Sequence, residues 1–547
     1  MKIIFHLFFL FLFLLIVNSN PNLIPYPNNI TIGSSELALS PCSVVFHFQS
    51  SSNIPTPSYY FDILDFYYKS SVVLVNCSFE VIENNIYRSR AEVEYYELTI
   101  TIANFEPNEP SYPSSTTNES YTLNLDWGNW TMQAENYYGF LRGLETFAQL
   151  FEALPDPPYY NLNYLPIFIQ DAPAFAYRGI MMDTARHFIN LDTLKHVLDG
   201  MLFHKLNVFH WHLTDDESFP LQLQSKPIIT QSGAYSLAEI YSQDDIMEIV
   251  EYARMRGIRV VPEVDSPAHS YSWTFSSEYS DIGSECFNYA DYNGQLDPTL
   301  NKTYDVVQSI LNDLNEYFPD EYVHLGNDEA VVNCWEANPS IQAFMQAHNL
   351  TNGIELQQYY KDRALTLLTP PHRAIYWVDD SNFNYSESDI LEYWSSRGEY
   401  SLIQNYTNKV IFANYDYFYL DLGYGNVFGA ESWAPFNTWL NIYSFDPYPV
   451  EIDPSRILGA ECPLWAEINS VYTTDNHLWS RASLFAERIW NPTINKINGL
   501  VEGAGIREVA ARVYGNEKRL EARGFAPSPI TSEYCSQHLF VCFPSSS

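Results

Sequence analysis

Basic residues are scarce in this chain. Its 547 residues hold 28 Lys and Arg against 66 Asp and Glu, a formal net charge of -38. So acidic a surface repels polyphosphate and anionic lipid, which argues against nucleic acid or a membrane as partner. Long apolar runs are also missing beyond residue 17, so no later segment is expected to cross a bilayer. Cysteine is sparse, with seven in all. What remains is the composition of a packed globular protein, 46% hydrophobic and 17% charged, long enough for a large domain and a smaller companion.

The one apolar run lies at the start. Lys2 is followed by Ile3 to Val17, broken only by His6, and Asn18, Ser19 and Asn20 end it. This reads as a signal peptide over residues 1–19, too short for a convincing membrane span. The cysteines would then meet an oxidising compartment, with Cys42 and Cys77, Cys286 and Cys334, and Cys535 and Cys542 as candidate pairs and Cys462 left over. Sequons at Asn29, Asn76, Asn118, Asn129, Asn301, Asn349, Asn384 and Asn405 fit the same secretory route.

Residues 20–170 mix short alternating runs, such as Tyr95 to Ile102, with one helical pattern from Gly139 to Phe151. A small α/β domain is expected there. From residue 171 to 547 the pattern turns regular. Apolar runs at Tyr177–Asp183, Leu206–Asp215, Ile258–Asp265, Tyr322–Glu329, Ala374–Asp380, Asp389–Trp394, Lys409–Tyr415 and Gly459–Glu467 alternate with helical stretches such as Asp244–Arg256. Eight strand-helix units predict a (β/α)₈ barrel with a C-terminal extension.

Many of these runs finish in an acid or a tryptophan. The strand ends of such a barrel form one face, so Asp183, Asp215, Asp265, Asp328, Glu329, Trp394, Trp465 and Glu467 should converge. Asp328 and Glu329 can share a pocket only if their strand stops there, because side chains along a strand alternate. As neighbours they would push their protonation apart, which suits a general acid beside an electrostatic stabiliser. His210, His212, His269 and Asp328 allow a second reading, a metal centre. A third is a relay in which Asp215 and His269 tune Glu329, and a fourth is that His210 and His212 are core residues satisfied by their neighbours.

Longer motifs carry a resemblance. GFLRGLETF at Gly139–Phe147, RGIMMDTARHF at Arg178–Phe188, HWHLTDDESFP from His210, RGIRVVPEVDSPAH from Arg256 to His269 and HLGNDE from His324 occur in this order. Together they resemble glycoside hydrolase family 20 over nearly the whole chain, most of all its lysosomal β-hexosaminidase type. That resemblance implies a retaining exo-β-N-acetylhexosaminidase acting on glycoconjugates with terminal N-acetylhexosamine, without metal or organic cofactor. The substrate's acetamido oxygen would serve as nucleophile. By similarity Glu329 is the acid/base, Asp328 orients the acetamido group, Tyr419 bonds its oxygen, and Asp215 and His269 stand behind Glu329. Trp377, Trp394 and Trp465 would enclose the sugar, and Arg186, Asp421 and Glu467 would hold its hydroxyls. A homodimer and a lysosomal or secreted location are also implied.

The chain departs from the family pattern at Asn327, where a second Gly is usual, at Ala268, where Gly precedes the His, and after Trp377, which Val378, Asp379 and Asp380 follow. Asp421-Leu422 resembles the subunit type that takes neutral substrates. Two competing readings stand beside the leading one. A metal-dependent barrel hydrolase would lose activity to a chelator, and a non-catalytic sugar-binding protein would keep the pocket without turnover.

Overall fold

The computed structural model describes residues 20–50, 55–71, 79–82, 86–89, 95–153, 160–284, 294–378, 382–425, 431–494 and 504–542. The apolar leader lies outside them. The first nine strands, β1 (Asn29–Leu39), β2 (Val44–Ser50), β3 (Phe79–Ile82), β4 (Ile86–Ser89), β5 (Tyr96–Ile102), β6 (Tyr121–Asp126), β7 (Asn129–Ala134), β8 (Phe151–Ala153) and β9 (Tyr160–Asp171), form one mixed sheet. In β5 alternate residues Leu98, Ile100 and Ile102 are fully buried, the period expected of a sheet with one covered face. The helix Tyr137–Gln149 packs on β6 and β7, capped by the Asn136 side chain, which accepts from the Tyr138 and Gly139 amides. It stops two residues short of Phe151 because Phe151 begins β8.

The next eight strands close a parallel barrel: β10 (Tyr177–Asp183), β11 (Val208–His212), β12 (Arg259–Ser266), β13 (Tyr322–Gly326), β14 (Arg373–Trp377), β15 (Ile390–Tyr393), β16 (Lys409–Phe412) and β17 (Ile457–Leu464). Each corresponds to one of the eight apolar runs. Their inward residues lie in layers. At the strand starts Tyr177, Val208, Val261, Tyr322, Ile375, Ile390 and Ile411 form an apolar plug with Leu458. Two residues further along, His210, Glu263, His324, Glu392 and Glu461 make a charged layer, all fully buried. The strand ends above it carry the candidate site.

Sheet and barrel are locked by buried charge. Glu119 receives Arg142 Nε at 2.7 Å, Arg178 Nη2 at 2.5 Å and Asn207 Nδ2 at 3.0 Å. Asp171 accepts from Lys205 Nζ at 3.2 Å and from Trp490 Nε1 at 3.0 Å. Of the candidate disulfides, Cys535–Cys542 is formed, and Cys42 and Cys334 are each disulfide-bonded. Their expected partners, Cys77 and Cys286, lie outside the described residues. Cys462 is free and buried in β17.

Candidate active site

The pair Asp328-Glu329 stands where β13 ends, and the end is abrupt. Gly326 has φ +65°, Asn327 +77° and Glu329 +51°, so the backbone leaves the extended region within one residue of the strand. Gly326 admits no side chain: a Cβ there would sit 1.5 Å from Asp265 Oδ1. This turn breaks the strand alternation and allows two successive carboxyls to share a pocket. Asp328 is buried, whereas the Glu329 side chain is 59% exposed toward the opening.

Behind Glu329 runs a chain of contacts. His269 Nε2 lies 3.2 Å from Glu329 Oε2 and 3.9 Å from Asp328 Oδ2, and His269 Nδ1 lies 3.1 Å from Asp215 Oδ1. Arg186 Nη1 closes on Asp215 Oδ2 at 2.8 Å. Burial works against an imidazolium at His269, but Asp215 outweighs it and holds the ring protonated well above the usual range. Burial would likewise raise Asp215, yet Arg186 and His269 keep its carboxyl far below normal. The His269 hydrogen bond in turn lowers Glu329. Asp265, two residues along β12 from Glu263, is pushed well up by burial and by the charge of Asp328.

The other expected residues border the same space. Trp377 is buried and donates from Nε1 to Glu263 Oε1 at 2.7 Å. Its ring lies 6.0 Å from that of Trp465, which lies 6.1 Å from Tyr419 and under the Arg186 guanidinium at 5.1 Å. Trp394 packs with Trp465 against Tyr419, Leu422 and Ala434. Asp421 is pushed up to about 8 by burial and by Glu467, and Glu467 is itself raised by desolvation. Tyr419 is held neutral by burial, with Asp328 and Glu329 among the charges acting on its hydroxyl. All eleven expected residues therefore gather at the strand-end face.

The metal reading fares differently. His210 touches Glu461 at 2.7 Å and Glu263 at 3.0 Å, and His212 touches Glu263 at 2.6 Å and Asp215 at 2.8 Å. These nitrogens already face carboxylates. Among the described residues His210, His212, His269 and Asp328 do not share one ligand centre; His210 groups instead with Glu263 and His324 or with Glu392 and Glu461, and His269 with Asp265 and Asp328. His212 is hydrogen-bonded on both ring nitrogens, to Glu263 and Asp215, and His210 at Nδ1 to Glu461.

Three residues at the strand ends or within the motifs had no role assigned from sequence. Asp183 accepts from the Ala185, Arg186 and Ala466 amides, so it fixes the turn that carries Arg186 and the strand end that carries Trp465. Glu263 and Asp265 both point inward from β12. Their i, i+2 spacing was the available signal; their partners, from other strands, left none.

The sequence matches the catalytic domain of glycosyl hydrolase family 20 over residues 175–493 and a region described as beta-acetyl hexosaminidase like over 23–150. The chain belongs to glycosyl hydrolase family 20. As a member it is a glycoside hydrolase of the β-N-acetylhexosaminidase kind. It is 33% identical to the β-hexosaminidase subunit beta of Rattus norvegicus, over 80% of this chain and 80% of that one. It is 32% identical to a chitooligosaccharidolytic β-N-acetylglucosaminidase of Bombyx mori, over 82% and 78%. Its fold is similar to that of a chitobiase from Flavobacterium johnsoniae, with a TM-score of 0.75 and 27% identity, covering 92% of this chain and 73% of that one.

Proposed function

We propose that this family 20 enzyme is a retaining exo-β-N-acetylhexosaminidase that releases terminal GlcNAc or GalNAc from glycoconjugates, using the substrate's own acetamido oxygen as nucleophile. The observation that carries this reading is the division of labour at the end of β13. An exposed Glu329 is backed by His269 and Asp215, while Asp328 is buried, raises its neighbour Asp265 and acts by its charge on the Tyr419 hydroxyl.

In the first step the acetamido oxygen attacks C1 and the glycosidic C–O bond breaks. The leaving oxygen takes its proton from Glu329. Free Glu329 and His269 hold one proton between them, mostly on the ring. A bound sugar excludes water from Glu329, which disfavours its carboxylate and moves that proton toward the oxygen that needs it. Asp328 orients the acetamido N–H and stabilises the positive charge that develops on the oxazolinium. Tyr419 donates to the acetamido oxygen. In the second step Glu329 takes a proton from water, which attacks C1 and opens the ring. Trp377, Trp394 and Trp465 offer flat apolar faces to the pyranose, and Arg186, Asp421 and Glu467 hold its hydroxyls.

The test is hydrolysis of 4-nitrophenyl N-acetyl-β-glucosaminide at acidic pH, with and without EDTA and the thiazoline analogue of the intermediate. Cleavage that survives EDTA and is blocked by thiazoline is expected. Loss to EDTA would restore the metal reading, and binding without turnover the lectin reading. Glu329→Gln should lower kcat by roughly 10²–10⁴-fold with KM little changed, and Asp328→Asn should slow oxazoline formation. Unchanged turnover in either would remove that residue's role. We further propose a homodimer within the lysosomal or secreted route; sedimentation showing only monomer at micromolar concentration would rule the dimer out.

A further inference from the structure

Glu263 is fully buried in the barrel's charged layer, and each of its oxygens makes one hydrogen bond and lies close to one further imidazole. Oε1 accepts from Trp377 Nε1 at 2.7 Å and faces His324 Nδ1 at 2.8 Å. Oε2 faces His212 Nδ1 at 2.6 Å and His210 Nε2 at 3.0 Å. The two sides lead to different parts of the site. Trp377 belongs to the aromatic wall. His212 passes on through Nε2 to Asp215 Oδ2 at 2.8 Å, and Asp215 to His269 and Glu329. One carboxylate therefore stands under both the sugar pocket and the acid/base relay.

We propose that Glu263 is a positioning residue that anchors both the acetamido-pocket wall and the acid/base relay, so that one buried group sets both substrate fit and the proton affinity of the His269–Glu329 pair. The inference rests on the substrate-assisted reading above and goes beyond it by adding a group that touches neither substrate nor the reacting atoms. Chemistry favours a carboxylate in this position. Trp377 donates to one oxygen and His212 Nδ1 bonds the other, and only an ionised carboxyl accepts on both. Its cost of burial is offset by His324, His212 and His210. Glu461 and Glu392 lie beyond His210 and His324, with Tyr177 donating to Glu461 at 2.8 Å. At the relay end, Asp265, Asp328, Asp215 and Arg186 face His269, and Asp183 adds its charge near His212.

Glu263→Gln keeps the shape but replaces one acceptor with an NH₂. Its NH₂ must face either Trp377, donor against donor, or His212, whose Nδ1 must then give up its proton and accept, and the layer loses a negative charge. In the full-length enzyme kcat/KM should fall roughly 10–100-fold, the size seen when outer partners of a site are removed. A role in folding alone would lower only the amount of active enzyme. The proposed role gives two further signs in the folded fraction: weaker thiazoline inhibition, and a basic limb of the kcat/KM profile moved to lower pH by roughly half a unit or more, since a lost negative charge loosens the shared proton.

Two single variants separate those signs. Trp377→Phe cannot donate to Glu263 and should weaken thiazoline binding without moving the basic limb. His212→Asn should move the limb and leave thiazoline binding nearly as it was. If Glu263→Gln does not fold, these two decide the matter, and the reverse pattern, or both effects in both variants, overturns the inference. A Glu263→Gln enzyme with normal inhibition and an unshifted limb overturns it as well. A wild-type enzyme insensitive to thiazoline instead defeats the substrate-assisted reading beneath it.

Discussion

Asn327 shows how a departure from a family pattern can be read physically. It sits at φ +77°, in the left-handed region where a Cβ is costly for most side chains and least so for Asn and Asp. Glycine is the unstrained choice there, and asparagine is the nearest substitute, so the backbone that carries Asp328 and Glu329 is preserved. Its carbonyl is also held, by Gln357 Nε2 at 2.8 Å. Asn327→Gly is therefore expected to keep kcat and KM within about twofold, with stability changed by less than about 1 kcal/mol. Asn327→Val should cost about 1–2 kcal/mol and displace Glu329, lowering kcat. Urea unfolding and steady-state kinetics on both variants check this, and a fully active Val variant would show that the turn does not depend on its left-handed residue. Ala268 carries no such demand, because its φ is not positive. At this scale the sequence was legible where chemistry and local geometry coincide, as in the placing of Asp328 and Glu329 at one strand end. It offered little at Glu263, whose neighbours Trp377, His324, His212 and His210 come from three other strands.

The elements were legible because each barrel strand is a short apolar run ending in polar residues. Their ends were less so. The runs read to Asp215, Glu329 and Glu467 stop as strands at His212, Gly326 and Leu464: Leu213, Trp465 and Ala466 continue the apolar pattern into two of the turns, and the left-handed backbone at Gly326 and Asn327 ends the third. The contact between sheet and barrel was not legible at all. It depends on Glu119, in a loop, meeting Arg142 of the helix Tyr137–Gln149 and Arg178 of β10. Burial would raise the Glu119 carboxyl, but the two arginines hold it below the usual range. Its contribution is therefore present above the ordinary glutamate range and lost as pH falls through the depressed folded value. Glu119→Gln leaves two buried guanidinium groups facing one neutral amide, and keeps the Asn118 sequon intact. It is expected to destabilise the protein by about 3–5 kcal/mol, read as a lower urea midpoint at neutral pH. A midpoint equal to wild type would mean that the seam is held by its apolar contacts instead.

For the whole molecule, the net charge of -38 and the protonation of its buried groups act in the same direction. Burial and Glu467 push Asp421 up to about 8, and burial with Glu461 raises Glu392 well above an ordinary glutamate. His210 is carried up to about 9 by Glu461 and Glu263 despite its burial, and His212 and His269 are raised in the same way. Each of these groups binds a proton more tightly folded than unfolded. The histidines add stability that is complete below their unfolded value near 6.5 and is lost as pH rises through the folded value. The raised acids lose stability from their unfolded values near 4 up to their folded ones. Unscreened carboxylates repel more strongly over the same range. Opposing them, Asp215, Glu263 and Glu329 are depressed and lose their contribution only as pH falls below the ordinary carboxylate range, and His204, His324 and His477, lowered by burial, cost stability as pH falls below about 6.5. The protein should thus be most stable between about pH 5 and 6.5, with a Tm lower by about 3 °C or more at pH 8.5. Added salt should narrow the part due to surface repulsion and leave the part due to the buried groups. Calorimetry across this range, at low and high salt, separates the two. A Tm that is flat or rising toward pH 8.5 would mean that the buried acids and histidines do not hold these extra protons.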